Sequence, residues 1–448
     1  MMLKTEKRAA FSLAMVYAFR MLGLFMILPV FSLYAGDFSG ATPMLTGLAI
    51  GIYGLTQGLL QLPFGFLSDR FGRKKIIVLG LIIFCIGSIV AANAETISEI
   101  ILGRAIQGMG AIAAAVMALA ADLSREEVRL RIMAAIGMSI GLAFMLSMVI
   151  GPVLAAQYGL SMIFWITAVL SIIGIVIIIW ITPTPLSQSF HRDAQLSIPA
   201  IKDIMSNKEL LRLDFGVFVL HLVLSATFVL FPLVLRDVIQ IPVLQHWQVY
   251  LPVFLLSVVF MLPMIIVAEK YSKLKGMFLM GIALVALAEV GLSQFEEYLH
   301  VFAMLVIFFI GFNFLEASLP SLVAKFSPAD MKGTAMGLFA SAQFFGAFSG
   351  GVLGGFLLTQ NFGMAFMTLA ILLSVWFALA MTMQKPKAVS SRIISLKNLE
   401  QNAMKNFLQQ AAKLPGVAEV SVYMEDQVAY LKVEKDLFDE ELLKPLLV

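Results

Sequence analysis

Apolar residues come in twelve long runs along the chain, each bounded by charged residues or by Pro and Gly clusters. Each run is close to the roughly 20 residues that a helix needs to cross about 30 Å of hydrocarbon. The pattern therefore predicts twelve membrane-spanning helices, spans 1 to 12. Their predicted ranges are 10–34, 44–66, 76–94, 99–122, 132–156, 161–181, 212–235, 248–268, 276–294, 300–324, 333–357 and 364–384.

Basic residues alternate between the two sides of the predicted membrane. The N-terminal segment and every second loop between spans hold 19 Lys and Arg, whereas the other six loops hold Arg236 alone. Basic loops stay on the cytoplasmic side. This asymmetry predicts an even number of spans and cytoplasmic termini. The opening MMLKTEKRAA lacks a small-residue cleavage site, so we expect a retained start and not a removed signal peptide.

Composition excludes several classes of protein. Hydrophobic residues make up 60% of the chain, too many for one soluble core. The single cysteine, Cys85, rules out a disulfide framework, and the four His are scattered, so we expect no metal site, no cofactor and no enzyme. An ATP-driven pump would need a phosphate-binding glycine loop, which is absent from the sequence. We expect no nucleic-acid partner.

An internal repeat divides the spans into two halves. Residues 63–76, PFGFLSDRFGRKKI, align with residues 263–276, PMIIVAEKYSKLKG, with Pro on Pro and Asp69 on Glu269. Parallel repeats of six spans are a known plan of transporters. The predicted all-α membrane core therefore has two pseudo-symmetric halves, 1–181 and 212–384. They are joined by a cytoplasmic linker, 182–211, that holds an interfacial helix.

Four motifs, in register, carry a family resemblance. Residues 65–75, GFLSDRFGRKK, resemble a loop signature between spans 2 and 3, and residues 102–111, LGRAIQGMGA, resemble a span 4 signature. Residues 137–155 resemble an antiporter signature of span 5, although Leu154-Ala155 stands where a Gly-Gly is expected. Residues 20–30 resemble a looser span 1 pattern. Together these motifs resemble the major facilitator superfamily, particularly its drug/proton antiporter branches.

The charged loop after span 2 is predicted to be a conformational latch. Asp69 can accept a hydrogen bond from Arg73 while facing the N-terminus of a neighbouring helix. The resemblance implies that this neighbour is span 11, around residues 330–334, and that Asp122 joins the cluster. Such a latch would hold the halves together on the cytoplasmic side in the outward-open state. Alternatively, the charges only set topology. The predicted latch residues are Gly65, Asp69, Arg70, Gly72, Arg73 and Asp122.

Ionisable side chains inside spans are costly in lipid, so we expect them to face the cavity between the halves. Glu316 in span 10 is the predicted proton-carrying carboxylate; the alternative is a static partner of an arginine. The resemblance implies that Arg104 with Gln107 takes part in proton coupling or cavity organisation, the alternative being a buried ion pair. Glu289 is expected to be structural. The predicted coupling or cavity residues are Arg20, Arg104, Gln107, Asn313 and Glu316, and those of the antiporter motif are Gly137, Gly141, Gly151 and Pro152. Further cavity candidates are Tyr17, Gln57, Gln61, His221 and Gln343.

A polar linker, 385–391, leads into a small predicted domain, 392–448. Its pattern reads as strand 393–397, helix 399–414, strands 417–423 and 428–433, and helix 439–446. This order resembles the α+β ferredoxin-like module, with the last strand short or missing. A facilitator with such a tail resembles the YajR-type subfamily of bacterial transporters, and the resemblance implies a bacterial inner (plasma) membrane. The domain has no Cys or His for a metal, and we expect it to dock on the core or to self-associate.

The resulting prediction is a secondary active transporter that works by alternating access. Its expected activity is proton-coupled antiport, or efflux, of a small amphiphilic or drug-like molecule. A proton-coupled symporter or uptake carrier of the same fold remains an alternative, as does a membrane sensor that does not transport.

Overall fold

The computed structural model describes residues 2–184, 198–271, 273–294, 296–328, 331–385, 389–396, 401–423, 427–434, 437–439, 442–443 and 446. Within these residues lie twelve helices long and apolar enough to cross a membrane. In chain order, spans 1 to 12 are Lys4–Phe25, Pro43–Phe71, Arg73–Ala92, Ile97–Asp122, Arg131–Tyr158, Leu160–Ile181, Lys208–Val238, Val243–Lys270, Leu274–Gln294, Tyr298–Phe326, Lys332–Leu357 and Phe362–Met381.

Span 1 is shorter at its end than predicted. It starts at Lys4 and stops at Phe25, and a separate short helix, Phe31–Tyr34, follows. Pro29 explains the stop, because its ring clashes with the carbonyl four residues earlier in a helix, which here belongs to Phe25. The predicted continuous helix over 10–34 is therefore wrong.

Span 4 was predicted as one helix, but it consists of two, Ile97–Met109 and Ala113–Asp122. The break coincides with a close approach to span 3, since a Cβ on Gly110 would lie 2.3 Å from the carbonyl oxygen of Gly80. Only glycine permits this contact. The break also leaves the Gly110 carbonyl available to a side chain.

The two halves have the same internal packing. Span 1 packs on spans 5 and 6, span 3 on spans 4 and 6, and span 2 on span 4. Each of these pairs recurs six spans later: span 7 packs on spans 11 and 12, span 9 on spans 10 and 12, and span 8 on span 10. This correspondence is the structural counterpart of the sequence repeat.

The halves meet through spans 2 and 11 and through spans 5 and 8. We call the side of the membrane that holds both chain termini the termini side, and the other the far side. Glycines of span 2 contact the main chain of span 11 from the far-side end down to Gly58, where Ser341 Oγ donates to the Gly58 carbonyl at 3.1 Å. Phe144 of span 5 packs edge-on against Phe254 of span 8, with ring centroids 5.2 Å apart. These contacts close the far side.

Two large apolar clusters match this arrangement. One unites most of the C-terminal half with the far-side part of the N-terminal half, including Met26, Phe31 and Phe144 beside Phe228. The other consists of N-terminal-half residues, such as Leu13, Ile77 and Ile132, with Phe344 packed at its edge. Apolar packing between the halves is thus concentrated on the far side.

The interfacial helix of the linker is Ile198–Ser206, which packs on spans 7 and 11. The first part of the predicted linker, residues 185–197, lies outside the described residues. Ile204 is buried in the same cluster as the C-terminal half. The helix is therefore attached to that half.

The tail forms a three-stranded antiparallel sheet in the order β1-β3-β2, with strands β1 Val389–Ser395, β2 Val417–Tyr423 and β3 Val428–Glu434. Helix Gln401–Ala411 connects β1 to β2, and its Met404 and Phe407 pack on the sheet. Strand β1 starts four residues before the prediction, inside the expected linker, because its register with β3 pairs Val389 with Glu434. The predicted last helix, 439–446, lies partly outside the described residues.

Candidate functional site

Glu316 of span 10 meets two polar side chains from other spans of the same half. Its Oε1 accepts a hydrogen bond from Gln343 Nε2 of span 11 at 3.3 Å, and its Oε2 lies 3.6 Å from His221 Nε2 of span 7. Gln343 Nε2 also contacts His221 Nε2 at 2.7 Å. The Glu316 side chain is 42% exposed, whereas that of His221 is 11% exposed. We call these three residues the carboxylate cluster.

The backbone sets the protonation pattern of His221. Its Nδ1 lies 3.1 Å from the Val217 carbonyl oxygen one turn earlier, so Nδ1 carries a proton and donates. The neutral ring then presents Nε2 as an acceptor to the Gln343 amide. A protonated ring would instead present an N–H toward Glu316. One turn before Glu316, Asn313 Nδ2 donates to Ser257 Oγ of span 8 at 3.0 Å, which ties span 10 to its neighbour.

The N-terminal half buries Arg20 of span 1 within a polar network. Its Nη2 donates to Tyr53 Oη at 2.9 Å, Gln57 Oε1 at 2.6 Å and the Gly110 carbonyl at 2.9 Å. Gln57 Nε2 donates in turn to Gln61 Oε1 at 3.0 Å, which extends the network by one helical turn. The carbonyl of Gly110 is the one left available by the break in span 4.

Arg104 of span 4 is also only 2% exposed. Its Nη1 donates to Gln107 Oε1 at 3.0 Å, and its guanidinium lies 5.1 Å from the centre of the Tyr53 ring. Gln107 donates in turn to Ser88 Oγ at 2.8 Å. Among the described residues no carboxylate contacts Arg104. An amide, main-chain carbonyls and an aromatic ring contact its guanidinium, in contrast to the buried ion pair that was the alternative expectation. Tyr53 thus lies between two buried arginines.

Glu289 is fully buried within the far-side part of span 9. Its Oε1 accepts a hydrogen bond from Thr227 Oγ1 of span 7 at 2.8 Å. Tyr17, by contrast, is buried beside the arginine network of the N-terminal half and is 8% exposed.

Arg73, at the start of span 3, joins two carboxylates of the N-terminal half. It forms an ion pair with Asp69 of span 2, and its Nε lies 3.2 Å from Asp122 Oδ2 at the end of span 4. Its Nη1 also donates to Ser68 Oγ at 2.8 Å. We call Asp69, Arg73 and Asp122 the termini-side cluster. The predicted contact with span 11 spans residues 330–334, of which residue 330 lies outside the described residues, while residues 331–334 lead into and open that span.

The turn before Arg73 requires glycine at one position. Gly72 has a φ of +100°, a conformation that other residues rarely adopt, and it ends span 2 and starts span 3. Gly65 is buried in span 2, whereas Arg70 is exposed and lies 5.6 Å from the Phe71 ring.

The glycines of the antiporter motif have different surroundings. A Cβ on Gly137 or Gly141 would meet nothing within 4 Å, so both glycines face open space on the termini-side part of span 5. A Cβ on Gly151 would lie 2.6 Å from the carbonyl oxygen of Met26, the residue that follows span 1. Pro152 follows inside the helix. Of the three glycines of the motif, only Gly151 therefore lies against another part of the chain.

Sequence reasoning overlooked three features. Asp214 lies in span 7 seven residues before His221, hence on the same helix face, and it was missed because it sits near the start of the span. Arg236 was counted for topology alone. The glycines at 47, 51, 54 and 58 of span 2 have the spacing of membrane-helix contacts, which is a signal that could have identified the interface with span 11.

Comparison with known proteins agrees with this architecture. The profile of the Major Facilitator Superfamily matches residues 13–350 and 213–417. The chain is 42% identical to the inner membrane transport protein YajR of Escherichia coli (strain K12), over 96% of this chain and 94% of that protein. It is 37% identical to an uncharacterized transporter of Buchnera aphidicola subsp. Acyrthosiphon pisum (strain APS), over 77% of this chain and 89% of that one.

Among solved structures, the fold resembles a bacterial homolog of the human lysosomal transporter Spinster in an inward-facing, occupied conformation. The TM-score is 0.70 at 14% identity, and the match covers 86% of this chain and 98% of that one. The chain belongs to the major facilitator superfamily. It is a multi-pass membrane transporter, not an enzyme.

Proposed function

We propose that this transporter is a proton-coupled antiporter that exports a small amphiphilic or drug-like molecule from the cytoplasm. Its location would be a bacterial inner membrane with both termini cytoplasmic. The basic residues of the termini-side loops and the name of the Escherichia coli relative support this location. The termini side would then be the cytoplasmic side, and the structure would correspond to an inward-open state.

The carboxylate cluster is the observation that carries the proposal. Glu316 is a carboxylate in the middle of a membrane span that is half-exposed and has no arginine or lysine among its described contacts. A carboxylate in such a place is a functional group by default, because lipid does not tolerate it otherwise. Its neighbours are a neutral amide and an imidazole, and both can accommodate either protonation state of the acid.

Exchange at Glu316 would couple the two fluxes. A proton bound from outside is released inward when substrate enters the cavity, and the substrate leaves when the cavity opens outward and Glu316 takes up the next proton. Each ligand thereby shifts the population of states that the other can bind. His221 can share the proton, since its Nε2 faces Glu316 Oε2 at 3.6 Å. The buried arginines would organise the opposite wall through Tyr53.

We also propose that the termini-side cluster acts as the cytoplasmic latch. In the outward-open state Asp69 would contact the N-terminus of span 11 across the halves. In this structure the described partner of Asp69 is Arg73 of its own half, and the close contacts between spans 2 and 11 lie toward the far side. The far-side position of the contacts between spans 2 and 11 supports a released latch.

For the tail, we propose a ferredoxin-like domain that docks on the C-terminal half. The β1-β3-β2 order with one helix between β1 and β2 supports the assignment. Lys432 Nζ of strand β3 lies 3.0 Å from the carbonyl oxygen of Ser327, where span 10 ends. Lysine at a helix C-terminus is favourable because the last carbonyls carry partial negative charge.

The test is a paired measurement in proteoliposomes. Its probe is found beforehand by screening a compound library for the first compound that a pH difference drives into inverted vesicles. Glu316→Gln should keep substrate exchange and lose accumulation against a gradient. Glu289→Gln, a matched change in the same half away from the cluster, should keep both. If Glu316→Gln still concentrates the compound in response to a pH difference, the proton is carried elsewhere and the proposal is wrong.

A further inference from the structure

Arg236 stands out in the charge pattern of the chain. It is the only Lys or Arg in the six predicted far-side loops, and in the structure it lies in the last turn of span 7. A positive charge on that side opposes the charge bias that orients the spans. Its position at the end of span 7 therefore calls for a role other than topology.

The structure gives Arg236 a contact between the halves. Its Nη1 donates to the carbonyl oxygen of Leu33 at 3.3 Å. Leu33 belongs to the short helix Phe31–Tyr34 of the N-terminal half, whose last carbonyls have no partner within so short a helix. A guanidinium is well suited to such carbonyls because it is always charged and donates in several directions.

Asp237 fixes the guanidinium in this orientation. Arg236 Nε lies 2.6 Å from Asp237 Oδ1, and Nη2 lies 2.9 Å from Oδ2, so two donors are bound side by side and Nη1 is left for Leu33. Paired contacts of this kind restrict the long arginine side chain. The contact with Leu33 is therefore preorganised.

The backbone around this pair is unusual. Span 7 ends in a π-helical turn, Val234–Val238, a conformation that is rare and is frequently found at functional sites. Gln240 follows with a φ of +62°, and its Nε2 donates to the Asp237 carbonyl at 2.6 Å. Such strain persists where the surrounding structure requires it. Here it places Arg236 and Asp237 next to the other half.

We propose that Arg236, held by Asp237, and the Leu33 carbonyl form a far-side latch. The latch stabilises the state that is closed on the far side, and it must break when that side opens, because Leu33 and Arg236 belong to different halves. It complements the termini-side cluster, so each side of the membrane has its own polar closure. The Arg236 side chain is 42% exposed, which makes the latch weak and reversible.

The test measures the far-side separation of the halves by spin-label distances in proteoliposomes. Labels are placed at Tyr158→Cys and Gln360→Cys in a Cys85→Ala background, one exposed far-side position in each half. Arg236→Ala should raise the far-side-open population about two- to fivefold, as expected for loss of an exposed charged contact. Arg236→Lys, which keeps a donor, should give a smaller rise, and Asp237→Asn should also raise it.

The control is Glu297→Ala, which breaks an exposed far-side pair, His300 Nδ1 to Glu297 Oε2 at 3.1 Å, within the C-terminal half. It should leave the distances unchanged. An unchanged distribution in a well-folded Arg236→Ala protein would overturn the proposal. An equal shift in the Glu297→Ala protein would overturn it too, because the effect would then follow from any far-side charge.

Discussion

Gly47 of span 2 and Gly351 of span 11 lie so close across the two halves that a Cβ on Gly47 would stand 2.2 Å from the Gly351 carbonyl oxygen. A side chain on Gly351 would also clash with span 2, since its Cβ would lie 2.6 Å from the Gly51 nitrogen. Main chains at this distance require glycine on both helices. Between spans 2 and 11 the far-side closure is therefore a contact of backbone against backbone.

Replacing either glycine should force the far side open. Gly351→Val adds side-chain atoms for which the contact between spans 2 and 11 has no space. Overpacking of this kind costs about 1–3 kcal/mol, which corresponds to roughly a 5- to 150-fold change in the ratio of far-side-open to far-side-closed protein. We expect the far-side-open state to grow accordingly in spin-label distances, and transport to fall. Gly276→Val is the control, because a Cβ there meets nothing within 4 Å. Unchanged distances in Gly351→Val would contradict the closure described here.

The termini-side cluster should be needed for transport but not for insertion. Arg73→Ala leaves the carboxylates of Asp69 and Asp122 without the cation that joins them, and Asp69→Asn removes one charge of the pair. Either change should abolish most transport, while membrane yield and detergent stability stay near those of the wild type. Lys75→Ala, an exposed basic residue of the same loop, should transport normally. Wild-type rates in folded Asp69→Asn protein would remove the latch from the mechanism.

His221 should influence the pH dependence of transport more than its maximal rate. Glutamine at this position can still exchange hydrogen bonds with Gln343, but it cannot share a proton with Glu316. We expect His221→Gln to change the dependence of transport on pH, with only a several-fold loss of the maximal rate. His300→Gln, on the exposed far side, should keep the wild-type profile. An unaltered pH–rate profile in His221→Gln would show that the imidazole takes no part in proton coupling.

The tail should be separable from the spans. It has its own apolar cluster, which includes Leu396, Phe407 and Leu431. Truncation after Gln384 should therefore leave a stable membrane core, and Lys432→Ala should change transport rate without unfolding the tail. Size-exclusion profiles and melting curves in mild detergent check the first expectation, and vesicle transport checks the second. Failure of the truncated protein to insert would make the tail a structural element.

Much of the architecture could be predicted from local sequence. Spans are read from the length of apolar runs, so all twelve were found, and the repeat predicted the halves. What failed depended on single residues or on distant partners. Pro29 ends span 1 early, and the contact of Gly110 with span 3 breaks span 4. The start of β1 is set by its register with β3, which lies some forty residues further along the chain.

The candidate site was only partly predictable for the same reason. An ionisable residue within a span signals function on its own, so Glu316 could be named from the sequence. That His221 and Gln343 lie beside it is a consequence of how spans 7, 10 and 11 pack, and no local pattern encodes this packing. The sequence did single out Arg236, because it lies on the side of the membrane whose loops otherwise lack Lys and Arg. Its partner, however, is a main-chain carbonyl, which the sequence cannot reveal.

The central claim is that the protonation of Glu316 shifts the balance between the two open states. Its most direct test needs no substrate: far-side distances are compared at an acidic pH and at an alkaline pH. The wild-type protein and Glu289→Gln should change their far-side-open fraction between the two conditions, whereas Glu316→Gln should give one distribution at both. If Glu316→Gln retains the wild-type dependence on pH, the coupling proton does not bind at Glu316, contrary to this account.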